Sequence, residues 1–434
     1  MKIEFDRYSL KIEGERKFIW SGAIHYFRMP EEGQWKGRLR MMKEAGLNAA
    51  DVYIPWNYHT EAPGKYRFGG NRNVEKFLDE VEEAGLYLIA RPGPYICAEI
   101  DGGGLPAWLI AKKNLALRCR REGRYEYDGE YMKYVREWWE KIVPRIAGRK
   151  NLILFQIENE YNLNPVFFSS PAREFINFFR KYDPDKLMKL MNSDPVRYMM
   201  MKAGPKLAPS GPKTQISNEY IKELYEWSRE LGVRVPIFHN DIMSMGGRVA
   251  DVDIMSIDDY AVTDFSGDWR EREHTFAALD LVEEGLDLHR RDNPVFMAEF
   301  QGSWFDNWGG YGYDRIRGLL GTGQLDLATK GALSQRATLI NYFMFCGGTT
   351  WGYLTSPDVY TSYDKGAPVS ESGQATRRYK AIKWLIDEIS RLGDDILETE
   401  LDETVKCSPK RIYCRARKSP SGNRYIFLRN TGHG

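Results

Sequence analysis

The chain has 434 residues, of which 42% are hydrophobic and 28% are charged, so it is long enough for one large core and something smaller. Its 62 basic and 61 acidic residues leave a net charge of +1, which gives no electrostatic reason to expect nucleic acid or an anionic membrane surface as a partner. No segment is apolar over the roughly 18 residues that a membrane-spanning helix requires, and residues 1–6 lack the hydrophobic region of a secretory signal.

The five cysteines are few and scattered, at Cys97, Cys119, Cys346, Cys407 and Cys414. No CxxC or His-x-x-x-His spacing occurs, so the sequence indicates neither a disulfide framework nor a zinc site, and we expect no metal. This cysteine usage fits a reduced, cytoplasmic location. Frequent Lys, Arg and Glu with few Gln are compatible with a thermophilic source.

Eight apolar, strand-like runs alternate with amphipathic stretches along the chain. The predicted strands are 18–24, 47–54, 86–90, 152–157, 235–240, 253–257, 294–300 and 342–345. The predicted helices are about 30–45, 74–84, 129–146, 218–231, 275–289, 327–339 and 376–392. Gly46, Gly85 and Gly232 directly follow three of these helices, in the position where glycine commonly ends a helix.

This alternation predicts an α/β protein, a (β/α)8 TIM barrel over residues 1–395 with a long insertion after the fourth strand at about 162–215. An open doubly wound sheet is the alternative, but no GxGxxG or GxxxxGK[ST] motif supports a nucleotide-binding version. Residues 396–434 predict a short β-rich tail, too small for an independent domain. We expect this tail to be the start of a truncated β domain, or of one that a partner completes.

Carboxylates stand where several predicted strands end. The fourth strand is followed by Glu158-Asn159-Glu160, the seventh ends at Glu299, and Glu99 lies in the loop after the third. Because active sites of parallel barrels lie at the carboxyl ends of the strands, we expect these side chains to face one cavity. Hydrolysis of a glycosidic bond requires such a pair, one carboxylic acid and one carboxylate.

The residues alone do not choose between Glu158 and Glu160 as the partner of Glu299. The two are separated by one residue, so the alternation of side chains along a strand points both the same way. Either could therefore supply the acid.

Seven segments, in this order along the chain, resemble those of a known family: SGAIHYFRMPEEGQW, DVYIPWNYHTEAPGKYRF, ARPGPYICAEIDGGGLPAWL, FQIENEYN, MAEFQGSWFDNWGG, MFCGGTTWG and TSYDKGAP. From about Trp20 to Trp384 the chain thus resembles glycoside hydrolase family 35, the family of β-galactosidases. The resemblance implies an exo-acting, retaining β-glycosidase that removes the terminal non-reducing β-galactosyl residue of oligosaccharides by double displacement. It implies no cofactor.

The resemblance also assigns roles to individual residues. It makes Glu160 the acid/base and Glu299 the nucleophile. It implies that Glu99 binds sugar hydroxyls and that Asn159 binds the sugar at its 2-position. The residues that it places around the terminal sugar are Tyr53, Cys97, Ala98, Glu99 and Asn159.

Three further positions of the expected substrate-binding site depart from the family pattern. Gln301 stands two residues after the nucleophile, where a tyrosine is common, and Phe343 replaces an aromatic hydroxyl. The TSYDY pattern keeps Tyr363 but continues into Lys365. These changes leave a second substrate open, because the archaeal branch of the family includes exo-β-D-glucosaminidases that act on chitosan oligosaccharides. Asn159 favours a neutral 2-hydroxyl, since a carboxylate would better hold an ammonium group.

Two other predictions concern function and assembly. A sugar-binding barrel that has lost catalysis is a less favoured alternative, because both expected catalytic glutamates are present. Family members usually carry β-sandwich domains after the barrel. We therefore expect an oligomer, formed either with a separate β-rich subunit or by self-association, and an oligosaccharide as substrate.

Overall fold

A computed structural model describes residues 1–29, 31–121, 124–161, 219–242, 251–265, 267–272, 275–287, 290–406 and 411–431. The insertion predicted at about 162–215 lies outside these residues, as does Cys407. In the described part of the chain, no helix has both the length and the apolar character that a membrane crossing requires.

Eight parallel strands form a closed barrel in which each strand pairs with the next in sequence and the last pairs with the first. The predicted TIM barrel is therefore confirmed, and the open doubly wound alternative is wrong because the sheet closes on itself. The strands are β1 (Ile19–Ile24), β2 (Ala49–Tyr53), β3 (Tyr87–Arg91), β4 (Leu152–Gln156), β5 (Ile237–Ile242), β6 (Ile254–Asp259), β7 (Val295–Gln301) and β8 (Ala337–Phe343).

Helices surround the barrel and bury one apolar face each against it. Several begin at a side-chain cap, as the Asp128 carboxylate accepts hydrogen bonds from the backbone N–H groups of Glu130 and Tyr131. The helices are α1 (Gly33–Glu44), α2 (Val74–Glu83), α3 (Gly129–Ala147), α4 (Glu219–Glu230), α5 (Val282–Asp287), α6 (Tyr313–Leu320), α7 (Gly323–Ser334) and α8 (Arg377–Ser390), with short helices at Trp56–His59 and Ala107–Ile110.

The boundary between α7 and β8 differs from the sequence prediction. A helix was expected to continue to residue 339, but α7 ends at Ser334 and β8 already begins at Ala337. Arg336 has a left-handed backbone, with φ of 66°, which ends the helix and turns the chain into the strand.

The barrel interior is filled by one apolar side chain or more from each strand, such as Ile89, Phe238 and Phe296. Leu10 and Ile12, from an N-terminal sheet of Ile3–Phe5, Leu10–Ile12 and Glu15–Lys17, belong to the same cluster. This sheet covers the end of the barrel where the strands begin. Polar residues at the opposite, carboxyl ends of the strands are therefore the ones that can form a site.

A C-terminal sheet of Glu400–Leu401, Ile412–Lys418 and Arg424–Asn430 follows α8. Short strands were predicted there, although the division of the chain at residue 395 stays a prediction. Two-stranded pairs complete the described strands: Thr60–Ala62 with Lys65–Tyr66, Arg120–Arg121 with Arg124–Tyr125, and Gly348–Thr349 with Ser362–Tyr363.

Candidate active site

Three buried carboxylates meet at the carboxyl ends of the strands. Glu160 follows β4, Asp258 lies in β6 and Glu299 lies in β7. One carboxylate oxygen of each lies within 4.8 Å of one oxygen of each of the others. The barrel thus brings the two predicted catalytic glutamates together and adds a third acid that the sequence analysis did not identify.

Four donors hold the Glu299 carboxylate in place. The Tyr53 hydroxyl donates to Oε1 over 2.7 Å, and the Tyr260 hydroxyl donates to Oε2 over 2.7 Å. The Arg91 guanidinium lies 3.0 Å from Oε1, and Asn240 Nδ2 lies 3.4 Å from it. A carboxylate anion is the form that accepts all of these hydrogen bonds, and it is the form that a nucleophile requires.

Arg91 is fixed from below by groups of the barrel interior. Its Nε donates to Asp51 over 2.9 Å, and its Nη2 donates to the carbonyl oxygen of Ala298 over 2.6 Å. Asn341 Nδ2 donates to both of these acceptors, over 2.7 Å each. The guanidinium therefore has one orientation, which directs positive charge at Glu299, the predicted nucleophile.

Glu160 lies in surroundings that favour its protonated form. Burial, together with the neighbouring charges of Glu299 and Glu99, raises the pKa of Glu160 to about 8. Burial and the charges of Glu299 and Glu160 likewise raise the pKa of Asp258 well above its ordinary value. Near neutral pH the site therefore holds a proton on Glu160, which is what a general acid requires.

The structure separates Glu158 from Glu160, which the sequence pattern could not do. Both residues lie beyond the end of β4 and have left-handed backbones, with φ of 58° and 43°, so strand alternation does not apply to them. The Glu158 carboxylate accepts two hydrogen bonds from Arg118, over 3.1 and 2.6 Å, and one from the Tyr220 hydroxyl over 2.5 Å. Glu158 is thus directed into a buried ion pair, and Glu160 into the carboxylate cluster.

The loop after β3 presents Cys97, Ala98 and Glu99 with three consecutive left-handed backbones. Such conformations cost on the order of 1 kcal/mol or more each, so surrounding contacts must hold them. Arg28 Nη2 donates to the carbonyl oxygens of Ala98, over 2.7 Å, and Glu99, over 3.1 Å. The Tyr363 hydroxyl donates to the Glu99 carboxylate, which links two predicted sugar-binding residues.

Asn159 and Gln301, two other predicted sugar-binding residues, have different surroundings. Asn159 Oδ1 accepts from Gln156 and Asn240, while its Nδ2 is buried without a hydrogen-bond partner in the described part of the chain. Both ends of the Gln301 amide pair with the backbone of Val262. Asn159 therefore keeps a donor for a ligand, whereas the Gln301 amide is hydrogen-bonded to the Val262 backbone and not directed at a ligand.

Sequence reasoning missed Asp258, Tyr260, Asn240 and Arg91 at this site. The signal was present, because each lies at the end of an apolar strand, as Glu160 and Glu299 do. The sequence does not show which strand ends point to the same cavity, and that information comes from the closed barrel.

Among the residues that the structure describes, Glu160, Asp258 and Glu299 form a carboxylate group with the spacing to share a cation. Oxygen ligands of this kind suit Mg²⁺ or Ca²⁺. However, Tyr53, Tyr260 and Arg91 already donate to Glu299, and the raised pKa of Glu160 favours a proton there. The expectation that the site uses no metal stays a prediction.

Comparison with known proteins gives a consistent result. A family model described as glycosyl hydrolases family 35 matches residues 9–208 and 173–389. The beta-galactosidase of Mus musculus is 30% identical over 395 residues, which cover 89% of this chain and 50% of the mouse protein. The probable beta-galactosidase C of Talaromyces marneffei is 29% identical over 437 residues, which cover 98% of this chain and 39% of the fungal protein. The chain thus spans half or less of the length of these relatives.

Solved structures share the fold. The beta-galactosidase from Rahnella sp. R3 superposes with a TM-score of 0.56 at 15% identity, covering 89% of this chain and 58% of that one. The beta-galactosidase from Marinomonas ef1 superposes with a TM-score of 0.55 at 15% identity, covering 87% of this chain and 61% of that one. At such identities the likeness concerns the barrel architecture alone.

Proposed function

Because the chain belongs to the glycosyl hydrolases of family 35, we propose that it is an exo-acting, retaining β-glycosidase that removes terminal β-galactosyl residues from oligosaccharides. The spacing of the carboxylates is the observation that carries this proposal. An oxygen of Glu160 lies within 4.8 Å of an oxygen of Glu299. Retaining enzymes hold their two carboxyl groups roughly 5 Å apart, whereas inverting enzymes leave a wider gap for a water molecule.

The geometry supports a double displacement. Glu160 donates its proton to the glycosidic oxygen while a Glu299 carboxylate oxygen attacks the anomeric carbon, which releases the leaving group as an alcohol. A water molecule then attacks the glycosyl ester, gives a proton to the Glu160 carboxylate and frees Glu299. Tyr53, Tyr260 and Arg91 keep the nucleophile oriented through both steps.

The choice of galactose rests on the relatives and on Asn159. The curated relatives reported above are named as beta-galactosidases or probable beta-galactosidases. The free Asn159 Nδ2 is a donor suited to a sugar 2-hydroxyl. One observation favours an exo-β-D-glucosaminidase instead, since Asp258 adds a third buried carboxylate that could accept hydrogen bonds from a 2-ammonium group.

A panel of aryl β-glycosides tests the proposal. We expect hydrolysis of the β-galactoside with higher kcat/KM than that of the β-glucosaminide, and loss of at least about 10³-fold in kcat for Glu299→Gln, because the amide cannot attack. Circular dichroism should show that this variant is folded. Near-normal turnover by Glu299→Gln would contradict its assignment as the nucleophile. A preference for the glucosaminide would identify the protein as an exo-β-D-glucosaminidase instead of a β-galactosidase.

The predicted oligomer also remains a proposal. Ile426 and Leu428 are 53% and 62% exposed on the strand at the edge of the C-terminal sheet. Exposed apolar side chains on an edge strand favour association with another β-rich surface. Light scattering of the purified protein tests this, and a fully active monomer would oppose it.

We further propose the cytoplasmic location that the cysteine usage predicts. Cys97, Cys119, Cys346 and Cys414 are free thiols in the described part of the chain. Fractionation of the source cells tests the location, and recovery of the protein outside the cytoplasm would contradict it.

A further inference from the structure

We infer that Lys365 is a specificity-determining residue, whose ammonium group donates to an oxygen of the terminal sugar beside Glu99 and selects against a sugar that carries an ammonium group. This inference rests on the proposed function and names the charge class of its substrate. The sugar bound there is then neutral or anionic, with an acceptor oxygen near Glu99.

The Lys365 ammonium is buried in the site without a hydrogen bond in the described part of the chain. Its side chain is 1% exposed, and the nearest carboxylate oxygen, Glu99 Oε2, lies 3.9 Å away. That distance is too long for a hydrogen bond. Aromatic rings surround the ammonium, with ring centroids at 4.0 Å for Phe343, 5.6 Å for Tyr363, 5.8 Å for Tyr260 and 5.9 Å for Phe305.

A buried ammonium with three unused donors is an unstable arrangement unless something else supplies acceptors. Burying an ion costs several kcal/mol unless it is paired and hydrogen-bonded, and ring faces compensate only part of that cost. Burial accordingly lowers the pKa of Lys365, although the charges of Glu99 and Glu299 oppose the shift. The missing acceptors are what a bound ligand would provide.

The neighbouring buried cation Arg28 differs from Lys365 in that protein atoms accept its hydrogen bonds. Its Nε donates to the Thr350 hydroxyl over 2.8 Å, and its Nη2 donates to the carbonyl oxygens of Ala98 and Glu99. Each of these donors thus has a protein acceptor. Lys365 lies close by, with no such acceptor, so its donors are available to the substrate.

The backbone holds Lys365 in place. Its φ of 59° is left-handed, a conformation that favours glycine and costs on the order of 1 kcal/mol or more. The Trp304 N–H donates to the Lys365 carbonyl oxygen over 3.0 Å, and the adjacent Asp364 carboxylate accepts from Arg317. A strained position kept by its surroundings is common at binding sites.

The location of the ammonium defines the ligand chemistry. Two of the four rings around Lys365 belong to residues that hold the carboxylates of the site, because Tyr260 donates to Glu299 and Tyr363 donates to Glu99. A sugar hydroxyl placed there can accept from Lys365 and donate to Glu99. An ammonium sugar would bring a second cation into the same low-dielectric site, which is unfavourable.

The experiment compares Lys365→Met with Lys330→Met. Lys330 also lies over an aromatic ring, with its Nζ 5.2 Å from the ring centroid of Trp384. It is partly exposed and lies on α7, so it is a matched control outside the site. We measure kcat/KM for aryl β-galactoside and aryl β-glucosaminide, and inhibition constants for galactose and glucosamine. The measurements are made below about pH 7, so that the 2-amino group of the glucosamine sugars is charged. We expect the preference for the neutral sugar to fall by about tenfold to a hundredfold in Lys365→Met and to be unchanged in Lys330→Met.

The outcomes separate this inference from the proposed function. Failure of the wild type to cleave any glycoside would refute the proposed function. An active wild type whose Lys365→Met variant keeps the same preference, losing both activities equally, would refute the inference alone. If Lys365→Met does not fold, Lys365→Gln keeps a donor without the charge, and an unchanged preference in that variant overturns the role of charge.

Discussion

We propose that Glu158 positions Glu160, the proposed acid/base. Its carboxylate pairs with Arg118 and accepts from the Asn159 N–H over 2.9 Å, and Arg118 Nη2 also donates to the Asn159 carbonyl oxygen over 2.7 Å. These contacts fix the left-handed turn that carries Glu160 into the site. Glu158 itself is turned away from the carboxylate cluster.

We predict that Glu158→Gln weakens acid catalysis while the attack by Glu299 continues. For phenyl galactoside, whose leaving group needs a proton, kcat/KM should fall by about 10²-fold, within the usual contribution of a general acid. For dinitrophenyl galactoside, whose leaving group does not need a proton, kcat/KM should change little. Tyr220→Phe removes only one neutral donor to Glu158 and serves as the control. Equal losses on both substrates would mean a structural role only.

We predict that the pKa of Glu160 sets the upper pH limit of activity. Since this pKa is about 8 and the protonated form is the active acid, kcat/KM should be constant in the neutral range and fall tenfold per pH unit above about 8. The sign follows because rising pH removes the catalytic proton. A pH profile of kcat/KM with phenyl galactoside measures this decrease, which Glu160→Gln should not show. A decrease near pH 4–5, typical of an exposed glutamate, would contradict this environment.

At the scale of residues, the sequence identified the ends of β4 and β7 because charged residues there interrupt apolar runs. It did not identify Asp258 or Asn240, since their role depends on the neighbouring strands across the closed sheet. Lys365 was visible only as a departure from a motif. Its burial among aromatic rings results from residues distant in the chain.

At the scale of elements, the C-terminal sheet is joined to the barrel by a buried ion-pair cluster. The Glu283 carboxylate, on α5, accepts from Arg415 over 2.5 Å and from Arg417 over 2.8 Å, both in the strand Ile412–Lys418. Arg417 is fully buried, and its Nε also donates to Thr399. Burial raises the pKa of Glu283, but Arg417 and Arg415 outweigh it and lower the pKa overall.

We predict that Glu283→Gln lowers the free energy of unfolding by about 3–5 kcal/mol, because it leaves Arg417 buried without its counter-charge. Glu284→Gln, the exposed neighbour on α5, should change it by less than about 0.5 kcal/mol. Denaturant unfolding of both variants measures the difference. Equal stabilities would show that the cluster does not hold the sheet.

Elements with strong local signals were predictable, and those set by context were not. Helices such as α2 and α3 were predicted to within about two residues from their apolar periodicity, and Gly85 marked the end of α2. The end of α7 was missed, since the left-handed Arg336 has no sequence signature of a turn. The N-terminal sheet was also missed, because its three-residue strands are too short to show a pattern.

At the scale of the molecule, the count of strands and helices was sufficient to predict the barrel, because eight alternating units form a well-known closed arrangement. Closure itself depends on the pairing of β8 with β1, which is not encoded in any local pattern. The same closure places β4 and β7 so that Glu160 and Glu299 share one cavity. The fold therefore accounts for the proximity of the predicted catalytic pair more directly than any motif does.

Trapping of the glycosyl-enzyme tests the central claim most directly. A 2-deoxy-2-fluoro β-galactoside with a good leaving group should inactivate the enzyme with time. The fluorine slows both the formation and the hydrolysis of the glycosyl ester, and the good leaving group restores the rate of formation alone, so the ester accumulates. Mass spectrometry should then show one added sugar, on the peptide that contains Glu299, and none in Glu299→Gln. A label on Glu158 or Asp258, or turnover of the active enzyme without any covalent label, would contradict the account.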